Sequence, residues 1–134
     1  MSKSDYEFMA EFRNTLREFL HFSEGAALAF GVQPQQHQAM LVIRGDPERD
    51  FITVSKLAAR LQIRHHSAVG LVNRMKIGGL VVKKRDSTDK RKILVRLTPR
   101  GKRVLKSLSA IHKTELARIG PVLREVLRNL KAAS

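Results

Sequence analysis

One stretch of the chain, residues 79–101, combines strand-forming sequence with a high density of positive charge, and it constrains the fold more than any other segment. It reads GLVVKKRDSTDKRKILVRLTPRG. The apolar, β-branched residues at either end predict two strands, joined by a turn at residues 86–91. Ten of the 26 lysines and arginines lie between Lys83 and Arg103. Because like charges so close together repel one another, this hairpin indicates a polyanionic partner.

The positive charge is concentrated in the part of the chain that contains this hairpin. The net charge is +14, yet residues 1–50 carry five basic and eight acidic side chains, whereas residues 51–134 carry 21 and four. Nucleic acid is the commonest partner of such a region. An anionic membrane surface is the alternative. The basic run, however, lies on a strand pattern and not on an amphipathic helix, so we expect double-stranded DNA and no membrane.

Length and residue content exclude several classes of protein. A chain of 134 residues fits one domain with a modest core, which a second chain would help to complete. No apolar run approaches the roughly 20 residues that span a bilayer. The first residues, MSKSDYEF, lack the apolar region of a signal peptide, so we expect a cytoplasmic protein. The absence of cysteine excludes disulfides, thiolate metal ligands and sensing by thiol oxidation.

Helices are predicted on both sides of the hairpin. Phe8, Phe12, Leu16, Phe19 and Phe22 recur at steps of four and three, which predicts one helix from Asp5 to about Phe30. Caps, glycines and prolines then divide the chain further. We expect helices over residues 35–45, 54–62 and 64–77, a brief extended segment at 51–53, a long helix from Pro99 to about Ile119, and a last one after Pro121.

The two short helices before the hairpin form a helix-turn-helix pattern. They are joined by about three or four residues, and the second places Ala68, Leu71, Val72 and Met75 on one face with polar residues around the other. Such a helix can enter a DNA major groove, which is about 12 Å wide. A basic hairpin that follows directly can reach phosphates and the adjoining minor groove. The combination predicts a winged helix.

The hairpin also resembles the wing of the MarR family of bacterial and archaeal regulators. The matching residues are Gly79, Leu80, Val81, Asp86, Asp89, Lys90, Arg91, Leu97, Thr98 and Gly101, without a gap. The resemblance implies a mainly α fold with a small β-hairpin, as a single domain over residues 1–134. It divides that domain into a winged helix-turn-helix at 36–97, with the wing at 81–97, and dimerisation helices at 5–34 and 98–134.

Roles at the DNA follow from the same resemblance. Arg91 matches the wing-tip arginine that family members insert into the minor groove, Asp89 matches the acid that braces the wing, and Arg74 matches a frequent backbone-contacting arginine. The expected DNA-binding residues are Arg64, His65, His66, Ser67, Gly70, Arg74, Lys83, Lys84, Arg85, Asp89, Lys90, Arg91 and Lys92.

Three positions depart from the family pattern. Gly70 stands where many members carry a long polar side chain, Arg64 stands where a capping Ser or Asp is preferred, and Gln62 replaces the usual turn glycine. The operator sequence therefore does not follow from the resemblance.

The resemblance further implies a homodimer on a pseudo-palindromic operator. The expected dimerisation residues lie on the first and last helices and are Phe8, Phe12, Leu16, Phe19, Val122, Leu123, Val126, Leu127 and Leu130. Most members are repressors released by small, often aromatic or phenolic, anions. We therefore expect a repressor with a small anionic or aromatic ligand, and we predict no cofactor.

Other functions remain as alternatives. The Ser, His and Asp residues show no spacing typical of a catalytic site, so we do not expect an enzyme. A metal-responsive regulator could use His21 with Glu24, His112 with Glu115, and His37, because each of the two pairs has i, i+3 spacing on a predicted helix. A nonspecific polyanion-binding module is the other alternative, since the charge alone does not indicate sequence specificity.

Overall fold

A computed structural model describes residues 1–133, with side chains to Leu130, so Ser134 of the predicted C-terminal region lies outside the described residues. Five helices and three strands follow in chain order. They are α1 (Lys3–Ala29), α2 (Pro34–Arg44), β1 (Phe51–Thr53), α3 (Val54–Leu61), α4 (His65–Ile77), β2 (Val81–Arg85), β3 (Ile93–Leu97) and α5 (Pro99–Ala133). None of the helices among the described residues is both long and apolar enough to cross a membrane.

The sheet has three antiparallel strands in the order β1-β3-β2. β2 and β3 form the predicted hairpin, with Val81 opposite Leu97. The short segment at 51–53, expected only to be extended, adds a third strand on the other side of β3, where Ile52 pairs with Val95. These four side chains are buried, so one face of the sheet completes the core of the winged helix.

The core lies between α2, α3, α4 and the inner face of the sheet. Ala68, Leu71, Val72 and Met75 are all buried in it, as the pattern on α4 predicted. Met40, Ile43, Leu57, Val81 and Val95 are the other large side chains in this core that are fully buried. Because these residues fix α4 by its inner face, its polar residues are held on the outside.

The C-terminal region is one helix and not two, so the predicted break at Gly120 and Pro121 is wrong. α5 continues for 35 residues with Pro121 inside it. A proline within a helix costs about 3 kcal/mol, since it removes a hydrogen bond. Ile119 and Val126, seven residues apart and therefore on one face, are both buried. The apolar stripe that begins at Leu105 thus continues in phase across the proline, and its packing offsets the lost bond.

Two buried histidines lie where α1, α2 and α5 meet. The rings of His37 and His112 are 4.8 Å apart between centroids. Nδ1 of His112 donates to the carbonyl oxygen of Leu108 at 2.7 Å, because a carbonyl can only accept, and Nε2 is 2.8 Å from the hydroxyl of Ser23. His37 is 5% exposed, and its Nδ1 has no hydrogen-bond partner among the described residues. Burial, followed by the nearby His112, lowers the pKa of His37 below its usual 6.5.

The lowered pKa of His37 predicts a loss of stability in mild acid. As the pH falls below 6.5, the unfolded chain protonates this histidine more readily than the folded chain does, because the pKa of His37 is lowered in the folded state. The unfolded state then binds more protons, so the free energy of unfolding should fall with decreasing pH, by up to about 1.4 kcal/mol per pH unit. Urea denaturation between pH 7.5 and 5 measures this slope, above the range in which carboxylates titrate. His37→Phe should flatten it, whereas exposed His66→Gln should not; equal slopes in the wild type and His37→Phe would contradict the assignment.

Candidate nucleic-acid interface

The helix-turn-helix is fixed by local hydrogen bonds that the sequence largely predicts. The hydroxyl of Thr53 caps α3 by accepting from the backbone N–H of Lys56 at 3.1 Å. At the other end of α3, Gln62 adopts the left-handed conformation, with φ of 58°, and the N–H of Ile63 bonds the carbonyl of Ala58. Glycine is usual at such a position, since left-handed backbone costs other residues about 1 kcal/mol. The turn therefore forms in spite of Gln62.

The start of α4 lacks a side-chain cap. Arg64 is the N-cap residue and makes no capping hydrogen bond, as expected from its lack of a short polar side chain. His65 lies 3.5 Å from the hydroxyl of Ser55, measured from Nδ1, and so links α4 to α3. The first turn of α4 is thus positioned by a contact between the two helices.

The outer face of α4 gathers most of the residues predicted to meet bases. His65, His66, Ser67 and Arg74 are exposed, and Gly70 is partly exposed among them. Ile77, which was not predicted, is 87% exposed at the end of the same helix. The sequence pattern could have identified it, because the helical period places Ile77 opposite the buried face of the helix, where an apolar residue is not expected. Together these residues form one surface, which we call the α4 face.

The tip of the wing is held by two aspartates. The carboxylate of Asp89 accepts from the backbone N–H and the Nε of Arg91, both at 3.1 Å, and from its Nη2 at 3.3 Å. Asp86 accepts from the N–H and the hydroxyl of Thr88, both at 3.0 Å. The side chain of Arg91 holds the pKa of Asp89 below its usual range, and the backbone of Thr88 does the same for the pKa of Asp86. Both therefore stay ionised, and the geometry agrees with the bracing role expected of Asp89.

The basic residues of the wing are exposed, and two of them also make contacts within the protein. They are Lys83, Lys84, Arg85, Lys90, Arg91 and Lys92. Lys83 donates to the side-chain oxygen of Asn73 on α4 at 2.6 Å, and Arg85 donates to the carbonyl of Lys90 across the turn at 2.9 Å. Asn73 belongs to the polar face predicted for this helix, but its contact with the wing was not predicted, since nothing local indicates a partner ten residues later. This hydrogen bond joins the wing to the α4 face.

A cleft of about 200 Å³ lies between the α4 face and the wing. Its walls include His65, Val69 and Asn73 on the helices and Lys83, Arg91 and Lys92 on the wing. The structure therefore brings together, around one cationic cleft, residues of the helix-turn-helix and of the hairpin that the sequence predicted separately. A phosphate backbone that follows this cleft would meet positive charge from both elements.

The candidate metal ligands do not come together. His21 and Glu24 are exposed, and Glu115 forms an ion pair with Arg118 at 2.6 Å. His37 and His112 contact each other at the buried junction of the helices. In the described part of the chain, no three His, Cys, Asp or Glu residues are grouped so that they could hold a metal ion.

The residues predicted for dimerisation differ in how deeply they are buried within the single chain. Val126 is buried within the single chain, Val122 and Leu127 are exposed, and the others are partly buried. α1 packs mainly against α5. Exposed apolar residues also occur elsewhere on these two helices, and they include Tyr6, Met9, Leu20, Leu28, Ile111 and Leu116. The helix pair thus keeps a substantial apolar surface after the chain has folded.

Comparison with known proteins shows what this geometry is similar to. A profile described as MarR family matches residues 30–92, from the end of α1 to the tip of the wing. No curated protein sequence matches the chain. Among solved structures, AbsC of Streptomyces coelicolor, a MarR family transcriptional regulator, is similar with a TM-score of 0.79 and 19% identity, over 99% of this chain and 90% of that one.

Two further structures have the same fold in complexes. S. aureus MepR, in a complex with DNA, has a TM-score of 0.68 and 16% identity, over 92% of this chain and 98% of its own. CouR from Rhodococcus jostii RHA1, bound to p-coumaroyl-CoA, has a TM-score of 0.69 and 20% identity, over 90% and 87%. At these identities the likeness concerns the fold, and the sequence match concerns the winged helix-turn-helix. The chain is therefore similar to MarR family regulators in its fold, and its residues 30–92 match the profile of that family.

Proposed function

We propose that the protein is a sequence-specific DNA-binding transcriptional regulator, acting as a homodimeric repressor that a small ligand releases. The observation that carries the proposal is the wing tip, where Asp89 holds the backbone and the guanidinium of Arg91 while that side chain stays 91% exposed. An exposed arginine in a fixed turn is suited to a narrow minor groove, whose negative potential attracts it. It lies beside the α4 face, which can enter the neighbouring major groove.

The arrangement supports duplex DNA over other polyanions. A membrane surface needs an apolar face beside the charges, whereas the wing presents a ridge of lysines and arginines next to a helix with polar side chains. MepR, which has the same fold, has been solved in a complex with DNA. We therefore assign the predicted DNA-binding residues of α4 and the wing to one duplex contact.

A second copy of the chain is the proposed partner of the exposed apolar side of α1 and α5. Leu20 on α1 and Leu116 and Leu127 on α5 are each about half exposed. Covering such residues removes apolar surface from water, which favours association. A two-fold dimer would present two α4 faces to one side, which suits a pseudo-palindromic operator.

Release by a ligand is proposed by analogy with a protein of the same fold. CouR has the same fold and has been solved with p-coumaroyl-CoA bound. By analogy, a small anionic or aromatic molecule would favour a dimer whose α4 faces are spaced wrongly for the operator, and so release repression. A ligand acts in this way only through its difference in affinity for the two spacings.

Selection of bound sequences from random duplexes tests the proposal. We expect a palindrome with half-sites about 10 base pairs apart, which matches one turn of the duplex, occupied by two chains. The site should bind at least about a thousandfold more tightly than random DNA at physiological salt. Affinity for either DNA should fall steeply with salt, as phosphate contacts release counterions. A selection without an enriched motif, with RNA or anionic vesicles competing equally, would instead indicate a nonspecific polyanion-binding module.

A further inference from the structure

The centre of the α4 face has no side chain of its own. Successive residues of a helix are about 100° apart, and the buried Ala68, Leu71, Val72 and Met75 fix which side faces the core. Gly70 then lies nearly opposite the core, in the middle of the surface that would meet the bases. The family pattern places a long polar side chain there. In this chain, the backbone at residue 70 leaves room for another group.

Arg74 occupies that room. A Cβ atom built on Gly70 would lie 3.2 Å from Nη1 of Arg74, which is closer than ordinary van der Waals contact. Gly70 is accordingly only partly exposed, although His66 and Asn73 beside it on the same face are exposed. Side chains of a helix point towards its N-terminus, so a residue at i+4 naturally reaches over residue i. Any side chain at position 70 would compete with the guanidinium for this place.

The guanidinium of Arg74 is not held by the protein for another purpose. None of the ion pairs among the described residues involves it. On its other side it borders a surface depression whose lining contains no acid, namely Gln33, Pro34, Gln35, Gln36 and Leu71. Its donors are therefore available to a ligand, and Nη1 lies over Gly70.

We propose that Arg74 reads a guanine in the major groove from the place that Gly70 leaves open. Arg74 would thus make the base contact that a long polar side chain at position 70 makes in many members of the MarR family. This differs from the DNA-backbone contact that the resemblance implied for Arg74. The inference rests on the proposed function, since it requires a specific duplex. A guanidinium donates two parallel hydrogen bonds to the O6 and N7 atoms of guanine, which lysine cannot reproduce with the same geometry.

The experiment compares variants on the operator selected with the wild-type protein, with each guanine in turn replaced by adenine. For the wild type, replacing one particular guanine in each half-site should lower the binding affinity by about 10- to 100-fold. Arg74→Lys keeps the charge, and Gly70→Leu fills the space with a good helix former. Both should lose the preference at that one guanine and keep the preferences at the other positions. The double variant should lose no more than either alone, because both changes remove the same contact.

Two controls separate this result from other causes. Arg17→Lys, on α1, should keep every base preference, and thermal melting should report Gly70→Leu as folded, since leucine favours helix more than glycine does. If Arg74→Ala weakens operator and random DNA by the same factor and lowers the salt slope by about 0.9 for each bound chain, Arg74 contacts a phosphate and the inference is overturned. A wild-type protein that selects no sequence at all would instead overturn the proposed function.

Discussion

Gly101→Ala is expected to lower the free energy of unfolding by about 3 kcal/mol or more. A Cβ atom at residue 101 would lie far closer to the carbonyl oxygen of Leu80 than the van der Waals contact distance allows. Neither backbone can move away easily. The same oxygen accepts from the N–H of Thr98 at 3.0 Å, while the hydroxyl of Thr98 donates to the carbonyl of Gly79 and accepts from the N–H of Gly101. This junction joins the start of β2 to the first turn of α5.

Gly25→Ala is the matched control for that prediction. Gly25 lies inside α1, and a Cβ atom there would meet nothing within 4 Å. Alanine should therefore stabilise the protein by up to about 1 kcal/mol through its higher helix propensity. Urea denaturation of both variants measures the difference. If Gly101→Ala were as stable as the wild type, the backbone at this junction would have shifted to accommodate the Cβ atom. The close approach of β2 and α5 would then not be required for stability.

The second large effect concerns the wing, where removing an acid should weaken binding to an acidic partner. Asp89→Ala releases the three hydrogen bonds that hold Arg91 and the turn. Charge alone would favour tighter binding, because the variant is more positive. We expect the opposite, since a disordered wing must be fixed again when it binds. Because both wings of the proposed dimer lose this brace, the loss in operator affinity should reach about 100-fold or more.

Two variants place this effect at the wing tip. Arg91→Ala should weaken binding to a similar degree with little change in stability, because its side chain is 91% exposed. Asp50→Ala changes the net charge as Asp89→Ala does but leaves the turn intact, and it should keep or slightly raise affinity. Titration of a labelled operator, with denaturation as the control for folding, measures all three. Tighter binding by Asp89→Ala would mean that charge alone governs the wing.

Local features were well predicted by the sequence. The caps at Thr53 and Thr98, the buried face of α4 and the turn between Asp86 and Asp89 depend on residues within a few positions of one another. Such features follow from spacing and hydrogen-bonding chemistry. The fold class and the position of the wing were therefore accessible without coordinates.

Features that depend on contacts between residues distant in sequence were not predicted. β1 has three residues, too few to indicate which strand it would pair with. The contact of His37 with His112 joins residues 75 positions apart, and it brought together only two of the five metal candidates. Proline usually ends a helix, which is why a break was predicted at Pro121. Burial of Ile119 and Val126 offsets this destabilising effect. The position of the Arg74 side chain over Gly70 depends on its conformation, which the sequence does not specify.

The unbroken α5 gives the molecule a mechanical property. At 35 residues it is a rod about 50 Å long, attached at its first turn to the start of the wing and along its length to α1. Pro121 leaves one gap in its hydrogen-bond ladder, and helices bend most readily at such a gap. On the same rise of 1.5 Å per residue, a tilt of about 5° at one end moves the other by about 4 Å. That is more than one base-pair step of about 3.4 Å, so in the proposed dimer a small angular change between subunits would become a full misregistration on the duplex.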